Sequence, residues 1–170
     1  MADEIENKED NSVIRITQKR GGRISVRPKR LTTLVMFSGG IDSIYTLVKL
    51  LRETDDEVLV HHIHMVNQEG RHKIEAERAR RIVKWCEENI REVKYSESGV
   101  DHRGFLFFGY EIVTVGFEAG IVCHSYFASQ NRMPDRWAIG ACSEEPHWME
   151  RWAHVKACLA ANCFPQEPPK

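Results

Sequence analysis

The stretch LTTLVMFSGGIDS, Leu31 to Ser43, decides how this chain is read. Leu34 to Phe37 is a short apolar run that reads as a buried strand. Ser38-Gly39-Gly40 reads as a sharp turn, and a helix starts at about Ile41. A glycine-rich turn between a strand and a helix N-terminus suits a phosphate group. Glycine lets the backbone approach an anion closely, and the helix start offers unpaired N–H donors. Ser38 and Ser43 add hydroxyls, and Asp42 adds a carboxylate able to meet a metal.

Downstream, Ile41, Ile44, Tyr45, Leu47, Val48, Leu50 and Leu51 carry helical spacing, so a helix is expected from Asp42 to about Glu53. Glu57 to Val66, EVLVHHIHMV, is β-branched and apolar and reads as a second strand. A long amphipathic helix is expected from Gln68 to Asn89, with Ile74, Ala79, Ile82, Val83 and either Trp85 or Cys86 on its inner side. Val93 to Ser96 reads as a short third strand, most of Gly109 to Ala128 as a buried helix with strand as the alternative that its β-branched content leaves open, and Trp137 to Ala141 as a fourth strand. Pro146 opens a last helix through Ala161. The alternation implies an α/β fold, an open and mainly parallel sheet with helices on both faces.

Upstream, residues 1 to 12 read as a solvated tail. Two short apolar runs flank Gly21-Gly22 as a hairpin or extended arm, with Lys19, Arg20, Arg23, Arg27, Lys29 and Arg30 making it basic. The expected organisation is an arm over residues 1–30, one domain over 31–162 and a Pro-rich tail over 163–170. With 170 residues, 42% hydrophobic, the chain is long enough for one sizeable core. A net charge of −1 gives no general electrostatic argument for nucleic acid. The acidic N-terminus does not read as a signal peptide, and no apolar run is expected to span a bilayer. Cys86, Cys123, Cys142, Cys158 and Cys163 are odd in number and scattered, which fits free thiols in a cytoplasmic protein.

Ser38-Gly39-Gly40-Ile41-Asp42-Ser43 is neither a Walker A loop nor G-x-G-x-x-G. It resembles the SGGxDS signature of the PP-loop ATP pyrophosphatase superfamily at every fixed position. That resemblance implies a Rossmann-like PP-loop domain that grips the pyrophosphate end of ATP, adenylates a substrate oxygen and releases pyrophosphate. It implies nucleotide contacts from Phe37, Ser38, Gly39, Gly40, Asp42 and Ser43, with Asp42 orienting magnesium. It also implies an adenine pocket lined by the strand end at Ile63 to Met65 and, in its deazaguanine synthase branch, a loose correspondence of Gly140 and of Glu144 or Glu145 to a strand end and acidic loop near the substrate.

Within the superfamily, Asn67-Gln68-Glu69-Gly70-Arg71-His72 and the helix after it look most like 7-cyano-7-deazaguanine synthase. Arg71, His72, Glu75 and Ala79 can be laid on its pattern, although Gln68 precedes Gly70 here. This implies Arg71 and His72, with Asp42 and Ser43, as catalytic residues. The chain departs from those enzymes at its C-terminus. It has no CxxC pair, only Cys158 and Cys163, and two thiolates do not make a tetrahedral zinc site. Zinc is therefore not expected. His62 and His64 share one strand face and His61 the other, with no third metal ligand evident nearby.

The expected function is an ATP-dependent ligase acting with magnesium on a small carboxylate or nucleobase-like substrate, with no membrane partner and self-association left open. The alternatives are an ATP- or AMP-binding module with reduced catalysis, and a tRNA-modifying relative whose basic arm touches RNA.

Overall fold

The computed structural model describes residues 30–105, 111–140 and 153–158, and the backbone of 14–17 and 25–28. The chain divides into two units, Met1–Arg30 and Leu31–Lys170. In the first, strands β1 (Ile14–Thr17) and β2 (Ser25–Pro28) pair antiparallel, as the hairpin reading anticipates.

The second unit alternates strand and helix: β3 (Thr32–Met36), α1 (Ile41–Glu53), β4 (Glu57–Val66), α2 (His72–Asn89), β5 (Lys94–Asp101), α3 (Glu111–Gln130) and β6 (Arg136–Ile139). The four strands form one parallel sheet in the order β5-β4-β3-β6. The chain steps outward from β3 to β5, then returns to lay β6 on the other side of β3. This is the expected α/β architecture, with a reversal of strand order between β3 and β6.

Strand alternation divides the core. Val35, Phe37, Val58 and Val60 face Leu47 and Leu51 of α1 and Ala79, Val83 and Cys86 of α2. Leu34, Met36, Leu59 and Ile63 face Ala119 and Cys123 of α3. Helices therefore cover both faces, and each fully buried Leu or Val stabilises the fold by about 1.5–3 kcal/mol.

Several expected boundaries and faces shift. β3 begins at Thr32 rather than Leu34, because the buried hydroxyls of Thr32 and Thr33 find acceptors on Glu57 and Asp56. α2 begins at His72 rather than Gln68. Asn67 first holds a turn, accepting the Glu69 N–H on Oδ1 at 3.0 Å and the Gly70 N–H on its carbonyl at 3.3 Å. The inner stripe of α2 is Ala76, Ala79, Val83 and Cys86, so Ile74 and Trp85 point outward. β5 runs to Asp101, past the expected Ser96, because its polar side chains have partners on β4. Ser96 and Ser98 bond the two ring nitrogens of His61 at 2.8 and 3.0 Å, and Glu97 bonds His64 at 2.7 Å.

β6 ends at Ile139, before Gly140. α3 buries only a stripe of small residues, Gly116, Ala119, Gly120 and Cys123, and exposes Phe117 and Ile121. It is the one helix among the described residues long and apolar enough to cross a membrane, contrary to the expectation that no run reaches that length. Here it packs on the sheet. Of the last expected helix, Pro146 to Ala161, residues 153–158 are described and are helical. Val155 in this segment packs against Gly116 of α3. Cys86 and Cys123 are buried and Cys158 is half-buried, while Cys142 and Cys163 lie outside the described residues.

Polar clamps hold the ends opposite the glycine turn. Arg91, just after α2, donates to the carbonyls of Leu51 at 2.9 Å, Thr54 at 3.0 Å and Asp56 at 2.5 Å, covering the C-terminus of α1. Glu57 pairs with Lys94 of β5 and accepts from Arg132 at 2.5 Å and Tyr126 at 3.1 Å. The Lys94 ammonium, helped by the Tyr126 and Thr32 hydroxyls, holds the Glu57 carboxyl down at about 2, below its ordinary 4.5. A depressed folded-state pKa contributes stability that is full above the unfolded value and lost as pH falls toward the folded one. Urea unfolding followed from pH 6 to pH 2 should therefore show stability falling below about pH 4.5. Glu57→Gln should lose less over that window than the native chain, and parallel curves would remove Glu57 from the acid response.

Candidate functional site

The C-terminal ends of β3, β4 and β6 open onto one cavity of about 350 Å³, within the range of small-molecule sites. It lies at the strand-order reversal, where open α/β sheets hold ligands. Ser38, Gly40 and Ser43 form its floor, and His62, Ile63, Met65 and Asn67 come from β4 and its exit. Arg71, Glu75 and Arg78 line it from α2, Glu111, Ile112 and Val115 from α3, and Met36, Phe37, Ile139 and Gly140 complete the wall.

The glycine turn is built as its sequence suggests. Gly39 takes φ +75°, a left-handed conformation that carries little penalty only for glycine. A closed ring of hydrogen bonds fixes the turn. The Gly40 N–H donates to Ser38 Oγ at 3.2 Å, Ser38 Oγ lies 3.1 Å from Ser43 Oγ, and Ser43 Oγ donates to the Gly40 carbonyl at 2.9 Å. An N–H can only donate and a carbonyl only accept, so the Ser38 hydroxyl points its proton at Ser43. Ser43 is buried and its own proton is spent inside the turn. Among the described residues no side chain caps α1, whose N-cap is Gly40, and the first N–H groups of a helix have no intrahelical acceptor. They remain suited to an anion.

Gly140 explains why β6 ends where it does. A methyl group on its Cα would lie 2.2 Å from the Ser43 nitrogen and 2.4 Å from the Asp42 carbonyl carbon. The backbone after β6 thus rests directly on the first turn of α1. On the other flank, α2 meets the turn at Arg78, whose Nε would stand 3.4 Å from a methyl on Gly39. Arg78 is exposed and carries no ion pair among the described residues. Arg71, by contrast, is bonded to Glu69 at 2.5 Å and lies 3.9 Å from Glu75.

Of the residues singled out by sequence, the cavity gathers Phe37, Ser38, Gly40, Ser43, Ile63, Met65, Arg71 and Gly140. Gly39 is buried behind the turn against α2. Asp42 is exposed in the first turn of α1 and is not part of the cavity wall. His72 is half-buried at the start of α2, also outside the wall, and its Nδ1 has no hydrogen-bond partner among the described residues. Glu144 and Glu145 lie outside the described residues. Sequence reading passed over Arg78, Glu111, Ile112 and Val115. The spacing i, i+4, i+7 of Arg71, Glu75 and Arg78 puts all three on one face of α2 and was the available signal.

The histidines of β4 are engaged separately. His61 bridges Ser96 and Ser98, with burial pushing its pKa down to about 4. His64 bonds Glu97, which also accepts from Arg80 at 2.6 Å and Tyr95 at 2.7 Å. The Arg80 guanidinium holds the Glu97 carboxyl well below the usual carboxylate range. Among the described residues no group of three His, Cys, Asp or Glu is placed to hold a metal ion.

Family models, curated proteins and solved structures contain no match to this chain.

Gly140→Ala should test the floor of the site. The added methyl meets backbone rather than a flexible side chain, so α1 must move. Urea unfolding should show a loss of about 1–3 kcal/mol, the usual cost of overpacking. Amide spectra should change at Gly39, Gly40 and Ser43. Unchanged stability and unchanged amides would mean that β6 and α1 are not in contact.

Proposed function

We propose that this chain binds a nucleoside triphosphate with its polyphosphate on the Ser38–Ser43 turn and uses it to activate a small carboxylate or nucleobase-like substrate, releasing pyrophosphate. The observation that carries the reading is the continuity of the uncapped glycine turn with a cavity that also holds Arg78. Backbone N–H groups and a guanidinium around a departing pyrophosphate stabilise the charge that builds there. Arg78 supplies a fixed positive charge beside the turn, and Ile63, Met65, Ile112 and Val115 supply an apolar wall suited to a base or ring. Magnesium carried with the nucleotide would neutralise part of the phosphate charge, with Asp42 the nearest carboxylate in sequence to the turn. The likeness of SGGIDS to the PP-loop signature and of the Arg71 region to 7-cyano-7-deazaguanine synthase supports C–N bond formation by a ligase of that type. Queuosine biosynthesis is the setting that this likeness suggests.

A second reading, an ATP- or AMP-binding module without turnover, is favoured by one observation: Asp42 and His72 stand outside the cavity wall.

Incubation with ATP, magnesium, ammonia and a panel of carboxylic acids, deazapurine acids included, should release pyrophosphate in the presence of one acid. Arg78→Ala should weaken ATP binding about tenfold or more, as loss of a hydrogen bond to a charged group does, while leaving stability within about 0.5 kcal/mol. ATP binding by calorimetry without pyrophosphate release for any acid would favour the module. No ATP binding would end both readings.

A further inference from the structure

His62 is the one residue of the cavity wall that combines full burial with a ring nitrogen left without a hydrogen-bond partner among the described residues. It is 2% exposed, and Nε2 is the unpartnered atom. Its other nitrogen settles the tautomer. Nδ1 lies 2.8 Å from the Phe37 carbonyl, which can only accept, so Nδ1 carries the hydrogen and Nε2 presents a lone pair. Burial pushes the His62 pKa down, which keeps the ring neutral. The titratable groups coupled to it include His61 and His64, the latter with its ring centroid 5.2 Å away edge-on, together with Glu97 and Glu75. None of them is bonded to Nε2. A buried acceptor left unmade costs about 1–3 kcal/mol, and a buried polar atom in a native fold is ordinarily partnered by protein, water or a bound group. Phe37 is also the residue that leads into the Ser38 turn, so the lone pair and the phosphate turn belong to one site.

We propose that Nε2 of His62 accepts a hydrogen bond from an uncharged donor on the ligand of this cavity, a sugar hydroxyl or an amino group of the base. It thereby selects a nucleoside over a bare polyphosphate. The inference rests on the nucleotide reading above but concerns a different contact. A lone pair repels phosphate oxygens, and protonating the ring to receive them works against its burial. At neutral pH a nucleoside triphosphate offers hydrogens only from its hydroxyls and base nitrogens. The ligand therefore has two ends: an anionic end on the turn with Arg78, and a neutral donor end on His62.

The test is the ¹⁵N spectrum of the full chain labelled at histidine, with the His62 resonances identified by their loss in His62→Gln or His62→Phe, whichever folds. ATP should move the His62 Nε2 resonance from the bare-imine position toward the hydrogen-bonded one, and inorganic triphosphate should leave it in place. Either 2′,3′-dideoxyadenosine triphosphate or purine riboside triphosphate, which lack the hydroxyls and the amino group respectively, should abolish the shift and so name the donor. The variant that folds should bind ATP about tenfold more weakly and inorganic triphosphate with unchanged affinity.

Four results would overturn the inference. ATP could move the Gly39 and Gly40 amides while Nε2 stays still, which spares the nucleotide reading. Triphosphate could protonate the ring as ATP does. The shift could survive in both analogues. ATP could move neither the amides nor Nε2, which ends the nucleotide reading as well. An Nε2 shift with ATP in a chain that releases no pyrophosphate removes the ligase chemistry and upholds this contact.

Discussion

The backbone of Gly140 rests on the first turn of α1 with no room for a side chain between them, and the rest of the site depends on that contact. β3 is flanked by β4 on one side and β6 on the other, and the chain reaches β6 only after crossing back over the sheet through α3. Strand ends diverge at such a reversal and leave a crevice. Gly140 limits how far they diverge on the α1 side. The crevice therefore opens toward α2 and the start of α3, and its floor is the glycine turn. One missing Cβ thus connects the topology of the sheet with the position of α1's free N–H groups.

Most polar groups of this unit are partnered at the two ends of the sheet. At the N-terminal ends of the strands, Thr32, Thr33, Asp56 and Glu57 are buried or half-buried: the Thr32 and Thr33 hydroxyls donate to the Glu57 and Asp56 carboxylates, which also pair with Lys94 and Arg136. Arg91 meets the carbonyls at the end of α1 in the same way. At the C-terminal ends, the hydroxyls of Ser38 and Ser43 are closed into a ring, and His61 and His64 are bonded across to β5. The exception in the cavity wall is Nε2 of His62. A fold that satisfies its other buried polar groups so thoroughly there makes this one informative, because an unmade bond at that depth is costly.

Much of the frame was legible in the sequence. Glu57 to Val66 shows because its β-branched residues are buried on both faces, and Leu47 and Leu51 show because a helix repeats near 3.6 residues. The glycine turn shows because its residues serve only local geometry. β5 continues past Ser96 because Glu97 and Ser98, which look like loop residues in isolation, meet His64 and His61. Long-range partners of this kind leave no local pattern. Trp85 and Cys86 are adjacent, and only the register of α2 on the sheet decides that Cys86 turns inward. α3 has little polar contrast around its circumference, so its narrow buried stripe of small residues was not readable in advance. In the site, the residues gathered by the turn were foreseen. Asp42 and His72 lie outside the cavity wall, because adjacency in sequence to the turn or to β4 does not determine which residues of a helix line the cavity. Arg78 was hidden among the charges of α2, and only its approach to Gly39 distinguishes it.

The central claim is that the glycine turn holds the phosphates of a nucleotide whose remainder fills the adjoining cavity. A crystal structure of the full chain with a non-hydrolysable ATP analogue and magnesium tests it most directly. The account predicts phosphate oxygens within hydrogen-bond distance of the backbone N–H groups at the start of α1 and of the Arg78 guanidinium, with the nucleoside between β4 and α3. An analogue bound elsewhere on the chain, or a glycine turn free of phosphate at saturating nucleotide, would contradict it.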